Sequence, residues 1–374
     1  MVHHGAEASV NRFRTILRQS QNIKNKNKNI NINEAGEVGM NNQAVALSGL
    51  DISATSRFSF SERVSYLKRF GTHSQSFSTL QPGMQYFDLP GVGYIGYMKK
   101  WAGAFVLSNP VADKKDFELI LSAFHSKFPN ACYIQVSKSV VDILHNKFGM
   151  YGTQFGSEST IDLTKWSLKG KKKQILRTAI NQAEKSGITI KERFSDDHTR
   201  EISEAWIKTR KCKSNEIRFL IRPMKMDYKE NERHFYAYEG DKAVGFIYFD
   251  PIYHNNEIIS YVPNISRASA EFKQGLFYAL MTHAMDIFKE EGVPYLDLGL
   301  IPLMLADEIE PQESKIFKRI SKLIYEKGNS LYNFKGLVFT KGRFRGDIEK
   351  TYCCHKGVLP IRQLASMFKL TQVI

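Results

Sequence analysis

Two decapeptides share one pattern: "AGAFVLSNPV" at 102–111 and "AVGFIYFDPI" at 243–252 both follow A-x-x-F-x-x-x-[N/D]-P-[V/I]. Each is read as a strand with a helix and a second strand behind it. After the first come "KKDFELILSAFHSKF" (114–128), with apolar residues at helical spacing, and the short apolar run "CYIQV" (132–136). After the second come "KQGLFYALMTHAMDIFKEEG" (273–292), with a stripe of Phe277, Leu280, Met281, Ala284 and Phe288, and then "PYLDLGL" (294–300). A repeated order of elements behind a repeated motif points to duplication, hence to two α/β domains with mixed sheets. "VGYIGYM" (92–98) adds a strand to the first, and "HFYAYEGDKAVGFIYFDP" (234–251) a hairpin about Gly240 and Asp241 to the second.

Residues 1–60 read differently. "NIKNKNKNININEAGEVGMNNQ" (22–43) is low-complexity and polar, with too few large apolar residues to offset the entropy of folding. The expected division is a disordered tail over 1–60, a first domain over 61–168, and a basic linker helix with the second domain over 169–374.

Charge narrows the partners. The formal net charge is +15, and it is clustered. Residues 165–193 hold nine Lys or Arg against two Glu, and residues 315–350 hold ten against three acids. Concentrated cations attract polyanions, either nucleic acid or an anionic membrane. No apolar run approaches the roughly 18 residues of a membrane-spanning helix, and the N-terminus has no apolar signal core. The four cysteines, Cys132, Cys212, Cys353 and Cys354, have no metal-ligand spacing or disulfide framework. No metal is expected. A cytoplasmic location follows, with contact at the inner membrane face left open.

The first basic cluster, "WSLKGKKKQILRTAINQAEKSGI" (166–188), reads as a helix with Ile175, Leu176, Ala179, Ile180 and Ala183 on its apolar side and Gly187 as C-cap. Lys173, Arg177, Asn181 and Lys185 recur every four residues along its polar side. Lys169, Lys171 and Lys172 stand at the helix start, where the macrodipole favours anions. Cations set against that preference suggest a phosphate-binding end. The second cluster includes "LYNFKGLVFTKGRF" (331–344), read as an extended run carrying Lys335, Lys341 and Arg343 among aromatics.

Four stretches together resemble the C-terminal catalytic region of the phosphatidylglycerol lysyltransferases, over about Phe70 to Tyr352. They are "GTHSQSFSTLQPGMQYF" (71–87), Gly170 to Gly187, "YLDLGLIPL" (295–303) and the 331–344 segment. Gly170 to Gly187 resembles G-K-K-x-x-x-L-R-x-A-x-N-x-A-x-x-x-G. The last resembles F-K-G-L-x-x-x-K-x-[K/R]-F through Phe334, Lys335, Gly336, Leu337, Lys341, Arg343 and Phe344. The sequence departs from the family at Thr340, where an aromatic is usual, and at "RGDIEKTYC" (345–353). It also lacks the family's membrane-spanning part.

The resemblance implies an α+β fold of tandem GNAT-like domains with mixed, largely antiparallel sheets. It implies transfer of an amino acid from aminoacyl-tRNA, as co-substrate rather than cofactor, to the amine or hydroxyl of a small molecule or an anionic lipid. Lys341 is then the catalytic residue, aimed at the developing oxyanion. Arg343 contacts phosphate, Lys335 contacts phosphate or is structural, and Glu216 and Arg218 lie near the aminoacyl pocket. Asp297, at a strand end, touches substrate or caps structure. Lys169, Lys171, Lys172, Lys173, Arg177 and Asn181 face tRNA. Two alternatives stand beside this reading: an acyl-CoA-dependent N-acyltransferase, and a non-catalytic polyanion-binding relative. "SRASAEFKQG" (266–275) has one glycine where coenzyme A enzymes have a Gly-rich loop, which argues against the first.

Overall fold

The computed structural model describes residues 57–101, 103–209, 218–269, 275–327 and 334–372. Of the tail expected over 1–60, residues 1–56 lie outside the described residues, while the last few are ordered, with Ser59 capping a helix that starts at Phe60. The first helix, α1 (Phe60–Phe70), opens with a capping box. The Ser59 hydroxyl accepts from the Glu62 N–H at 3.2 Å, and the Glu62 carboxylate accepts from the Ser59 N–H at 2.6 Å.

The strands β1 (Gln85–Leu89), β2 (Gly93–Lys100), β3 (Gly103–Leu107) and the short β4 (Val111–Ala112) follow, then α2 (Phe117–Lys127), β5 (Cys132–Val136), α3 (Lys138–Phe148) and β6 (Tyr151–Asp162). The basic helix α4 (Gln174–Lys185) leads to β7 (Ile188–Glu192), α5 (Thr199–Thr209), β8 (Arg233–Glu239), β9 (Lys242–His254) and β10 (Glu257–Ala268). Then come α6 (Gly275–Glu290), β11 (Tyr295–Asp297), β12 (Ile301–Pro302), α7 (Lys315–Lys327), α8 (Phe334–Gly342), β13 (Asp347–His355) and α9 (Ile361–Leu370).

One mixed, largely antiparallel sheet takes the order β1-β2-β3-β5-β13-β6-β11-β10-β9-β8-β7. The order of the two halves is symmetric about the central β13–β6 pair. In the first, α2 crosses over from β3 to its parallel neighbour β5. In the second, α6 crosses from β10 to its parallel neighbour β11. These are the tandem GNAT-like halves expected from the sequence. The repeated decapeptide, however, falls on strands that do not correspond. It occupies β3 in the first half and β9 in the second, whose neighbour β10 is antiparallel. The counterpart of β3 is β10, so the topology carries the duplication and the decapeptide match is one strand out of step.

Each half has its own core. The first packs α2 and α3 on the sheet through Ile120, Leu121, Phe124, Val140, Val141 and Leu144. The second packs α6 and α4 through Leu280, Met281, Ala284, Phe288, Leu176 and Ala179. At roughly 1.5–3 kcal/mol per fully buried large apolar side chain, these faces dominate the stability of their helices. β13 is late in sequence yet lies between β5 and β6, and its Tyr352 and Cys354 belong to the first half's core.

Two local expectations are corrected. Ile175 was placed on the buried side of α4 but is 40% exposed, because α4 meets α6 over a narrow seam centred on Leu176 and Ala179. The 331–344 segment was read as extended, but Phe334–Gly342 is helical and residues 331–333 lie outside the described ones. Its β-branched and aromatic residues favour strands by propensity. The spacing of Gly336, Leu337, Thr340 and Lys341 is helical, and all four line one cavity.

Candidate active site

The central strand β6 carries Glu158 and Thr160, and its neighbour β11 ends at Asp297. There the chain leaves the sheet. Gly299, at φ +69°, makes the turn, and a side chain on it would press against Val262 Cγ2 at 3.2 Å. The turn aims the Leu300 carbonyl at α8, where it accepts from Lys341 Nζ at 2.8 Å. From the other side, the segment after α1 brings in His73, Ser74 and Gln75. Lys341 therefore stands over the seam between the two halves, beside two carboxyl groups.

Four titratable groups in this seam are shifted: Glu158, Asp297, His73 and Lys341. Burial raises the Glu158 pKa, although Gln135 Nε2 at 2.6 Å and Ser74 Oγ at 2.9 Å donate to its carboxylate. Burial raises Asp297 to about 7, with the like charge of Glu158 adding to the effect. The Gly299 N–H at 2.5 Å and the Thr160 hydroxyl at 3.2 Å oppose it. Burial lowers His73 to about 4, so its ring is neutral near pH 7. Burial lowers Lys341 to about 8, against the pull of Asp297 and Glu158. A cation on the wall of a cleft with an acid buried beside it, both titrating near neutrality, is what proton transfer and oxyanion stabilisation require.

Lys341 also lines a cavity of about 720 Å³. Its walls are mostly apolar: Val262 and Ile265 from β10, Phe317 and Ile324 from α7, Leu337 and Phe339 from α8, and Leu364, Met367 and Phe368 from α9. Arg267 and Lys341 are the charged residues among its described lining, and no carboxylate lines it. Two lining side chains present acceptors without donors, Gln75 Oε1 and Asn264 Oδ1. Such a space suits a long apolar ligand with an anionic or hydroxylated head.

Lys341 and Asp297 are thus brought together. Arg343 stays at the rim, its guanidinium 3.9 Å from the centre of the Phe339 ring and its Nε without a partner. Lys335 is exposed in the first turn of α8. Arg218 is exposed, and its N–H donates to the carbonyl of Thr371, a cavity residue, at 3.2 Å. Glu216 lies outside the described residues.

The basic cluster divides in two. Lys169, Lys171, Lys172 and Asn181 are exposed. Lys173 and Arg177 instead hold the loop before α4. Lys173 Nζ donates to Ser167 O at 2.7 Å and sits 4.2 Å from the Trp166 ring centre. Arg177 donates to Leu168 O at 2.5 Å and Gly170 O at 2.8 Å. Trp166 Nε1 in turn donates to the Phe344 carbonyl at 2.8 Å, so this loop is tied to the segment that follows Lys341.

Glu158, His73 and Gln135 were not singled out from sequence. His73 stands inside the "GTHSQSF" stretch, but Glu158 is one polar residue in the middle of a strand. Only its neighbours β11 and β13 reveal that it faces Asp297's end of the sheet.

The sequence profile of the family described as phosphatidylglycerol lysyltransferase, C-terminal, matches residues 64–355. A phosphatidylglycerol lysyltransferase of Staphylococcus aureus is 24% identical over 274 residues, covering 70% of this chain and 31% of its own length. One from Staphylococcus epidermidis is 25% identical over 292 residues, covering 75% and 33%. The chain thus spans about a third of the length of these relatives. Among solved structures, L-PGS from Bacillus licheniformis superposes with a TM-score of 0.67 at 20% identity, over 84% of this chain and 97% of that one. The C-terminal domain of a putative lysylphosphatidylglycerol synthetase from Agrobacterium fabrum gives the same score and identity, over 84% and 99%.

Proposed function

From the premise that this chain belongs to the phosphatidylglycerol lysyltransferase C-terminal family, we propose that it moves an aminoacyl group from an aminoacyl-tRNA to a hydroxyl of an anionic phospholipid such as phosphatidylglycerol. The observation that carries this reading is Lys341. Its ammonium lies between a carboxyl pair and an apolar cavity whose charged lining is cationic. The cavity takes the lipid's apolar portion, and the two cations offset its phosphate.

The donor ester is already activated, so positioning and charge stabilisation do most of the work. The acceptor hydroxyl gives its proton to the Asp297 carboxylate as its oxygen attacks the ester carbonyl. Lys341 steadies the oxyanion. The new ester bond forms, the bond to the tRNA ribose oxygen breaks, and that oxygen takes the proton. Exposed Lys169, Lys171 and Lys172 supply phosphate contacts, with Lys335 and Arg343 nearer the cavity.

The test is transfer of labelled amino acid from charged tRNA to phosphatidylglycerol in mixed micelles. Lys341→Ala is expected to lower kcat by about 10²–10³ while tRNA binding stays unchanged. Absence of transfer by the unaltered protein from any charged tRNA would overturn the reading.

A further inference from the structure

β2 ends in Lys99 and Lys100, and the residue after them, Trp101, is 70% exposed. It is the most exposed large apolar side chain among the described residues. Two ammonium groups lie against its ring, Lys369 of α9 at 4.9 Å and Lys100 at 5.8 Å. Among the described residues neither Lys100 nor Lys369 has a carboxylate partner, whereas Lys99 turns to the other face of the sheet, over the Phe128 ring. Arg362, also exposed, stands seven residues before Lys369 and so on the same stripe of α9. The opposite side of α9 walls the cavity with Leu364, Met367 and Phe368.

We propose that Trp101, with Lys100, Lys369 and Arg362, is the edge by which the protein docks on an anionic bilayer. An indole is suited to the headgroup layer because its body is apolar and its N–H polar. The unpaired ammonium groups complement lipid phosphates and are each worth about a fivefold change in partitioning. Docking here places α9, one face of which walls the cavity, against the bilayer. Its link to catalysis rests on the proposed lipid acceptor, whereas docking is measurable without catalysis.

The experiment is sedimentation of the full chain with vesicles of phosphatidylglycerol and phosphatidylcholine, beside vesicles of phosphatidylcholine alone. Trp101→Ala and the pair Lys100→Gln with Lys369→Gln are each expected to lower binding to the anionic vesicles about tenfold or more, with an unchanged circular dichroism spectrum and Tm. Transfer in mixed micelles should stay at the unaltered level in both, while transfer to vesicles falls. Unchanged vesicle binding in both variants would overturn the proposal. So would loss of tRNA binding with vesicle binding intact, which would make the edge a nucleic-acid surface. An unaltered protein that docks through Trp101 but transfers nothing in micelles would sink the proposed activity and leave the docking edge standing.

Discussion

Asp297 shows what burying a carboxyl group costs. Its folded-state pKa of about 7 lies above the ordinary 3.8, so the fold binds a proton that the unfolded chain has released. Stability is therefore lost as pH rises from about 4 to about 7. Lys341 acts in the opposite sense: its value of about 8 lies below 10.5, and its penalty grows as pH falls through that window. At pH 8, Asp297→Asn is expected to raise unfolding free energy by about 2 kcal/mol, read by urea denaturation, while abolishing transfer. A variant that is both inactive and destabilised would mean that Asp297 is only a structural cap. Transfer should also depend on pH in a bell, rising as Asp297 ionises near 7 and falling as Lys341 loses its proton near 8. Under Lys341→Ala the falling limb should vanish from what activity remains.

The basic cluster shows why one sequence stripe need not be one functional surface. Lys173 and Arg177 donate to carbonyls of the preceding loop, whereas Lys169, Lys171 and Lys172 are exposed. Replacing those last three with Ala is expected to weaken tRNA binding and to flatten the slope of log K against log salt by about 2–3, with Tm unchanged. Arg177→Ala should instead lower Tm, since it removes the pins on Leu168 and Gly170. Equal salt slopes for the triple variant and the unaltered protein would remove this loop from the tRNA surface. Helix α8 makes a related point. Its residues favour a strand locally, and a helix forms because that spacing puts Gly336, Leu337, Thr340 and Lys341 on one cavity wall.

At the scale of the molecule, β13 decides how the halves depend on one another. It pairs with both β5 and β6 and fills the first half's core with Tyr352 and Cys354. A fragment of residues 58–168 would leave both of those strand edges open, with a gap in the core. It is expected to lack a cooperative thermal transition, whereas residues 58–374 should unfold in one. A fragment that melts cooperatively by itself would show that β13 only decorates the first half. No helix among the described residues is long and apolar enough to cross a membrane.

What the sequence determined by itself is local in origin. Helical spacing marked α2, α4 and α6, short apolar runs marked β5 and β11, and the charge count marked both basic clusters. Those signals lie within about ten residues, the range over which periodicity and capping act. The resemblance added Lys341 and Asp297. Only the tertiary structure decided the insertion of β13, the helical state of α8, the correspondence of β3 with β10, and the meeting of Glu158 and His73 with Asp297 and Lys341. The reason is physical. Each depends on strands or helices far apart in sequence becoming neighbours, and a carboxyl group's pKa depends on what buries it and which charge stands beside it.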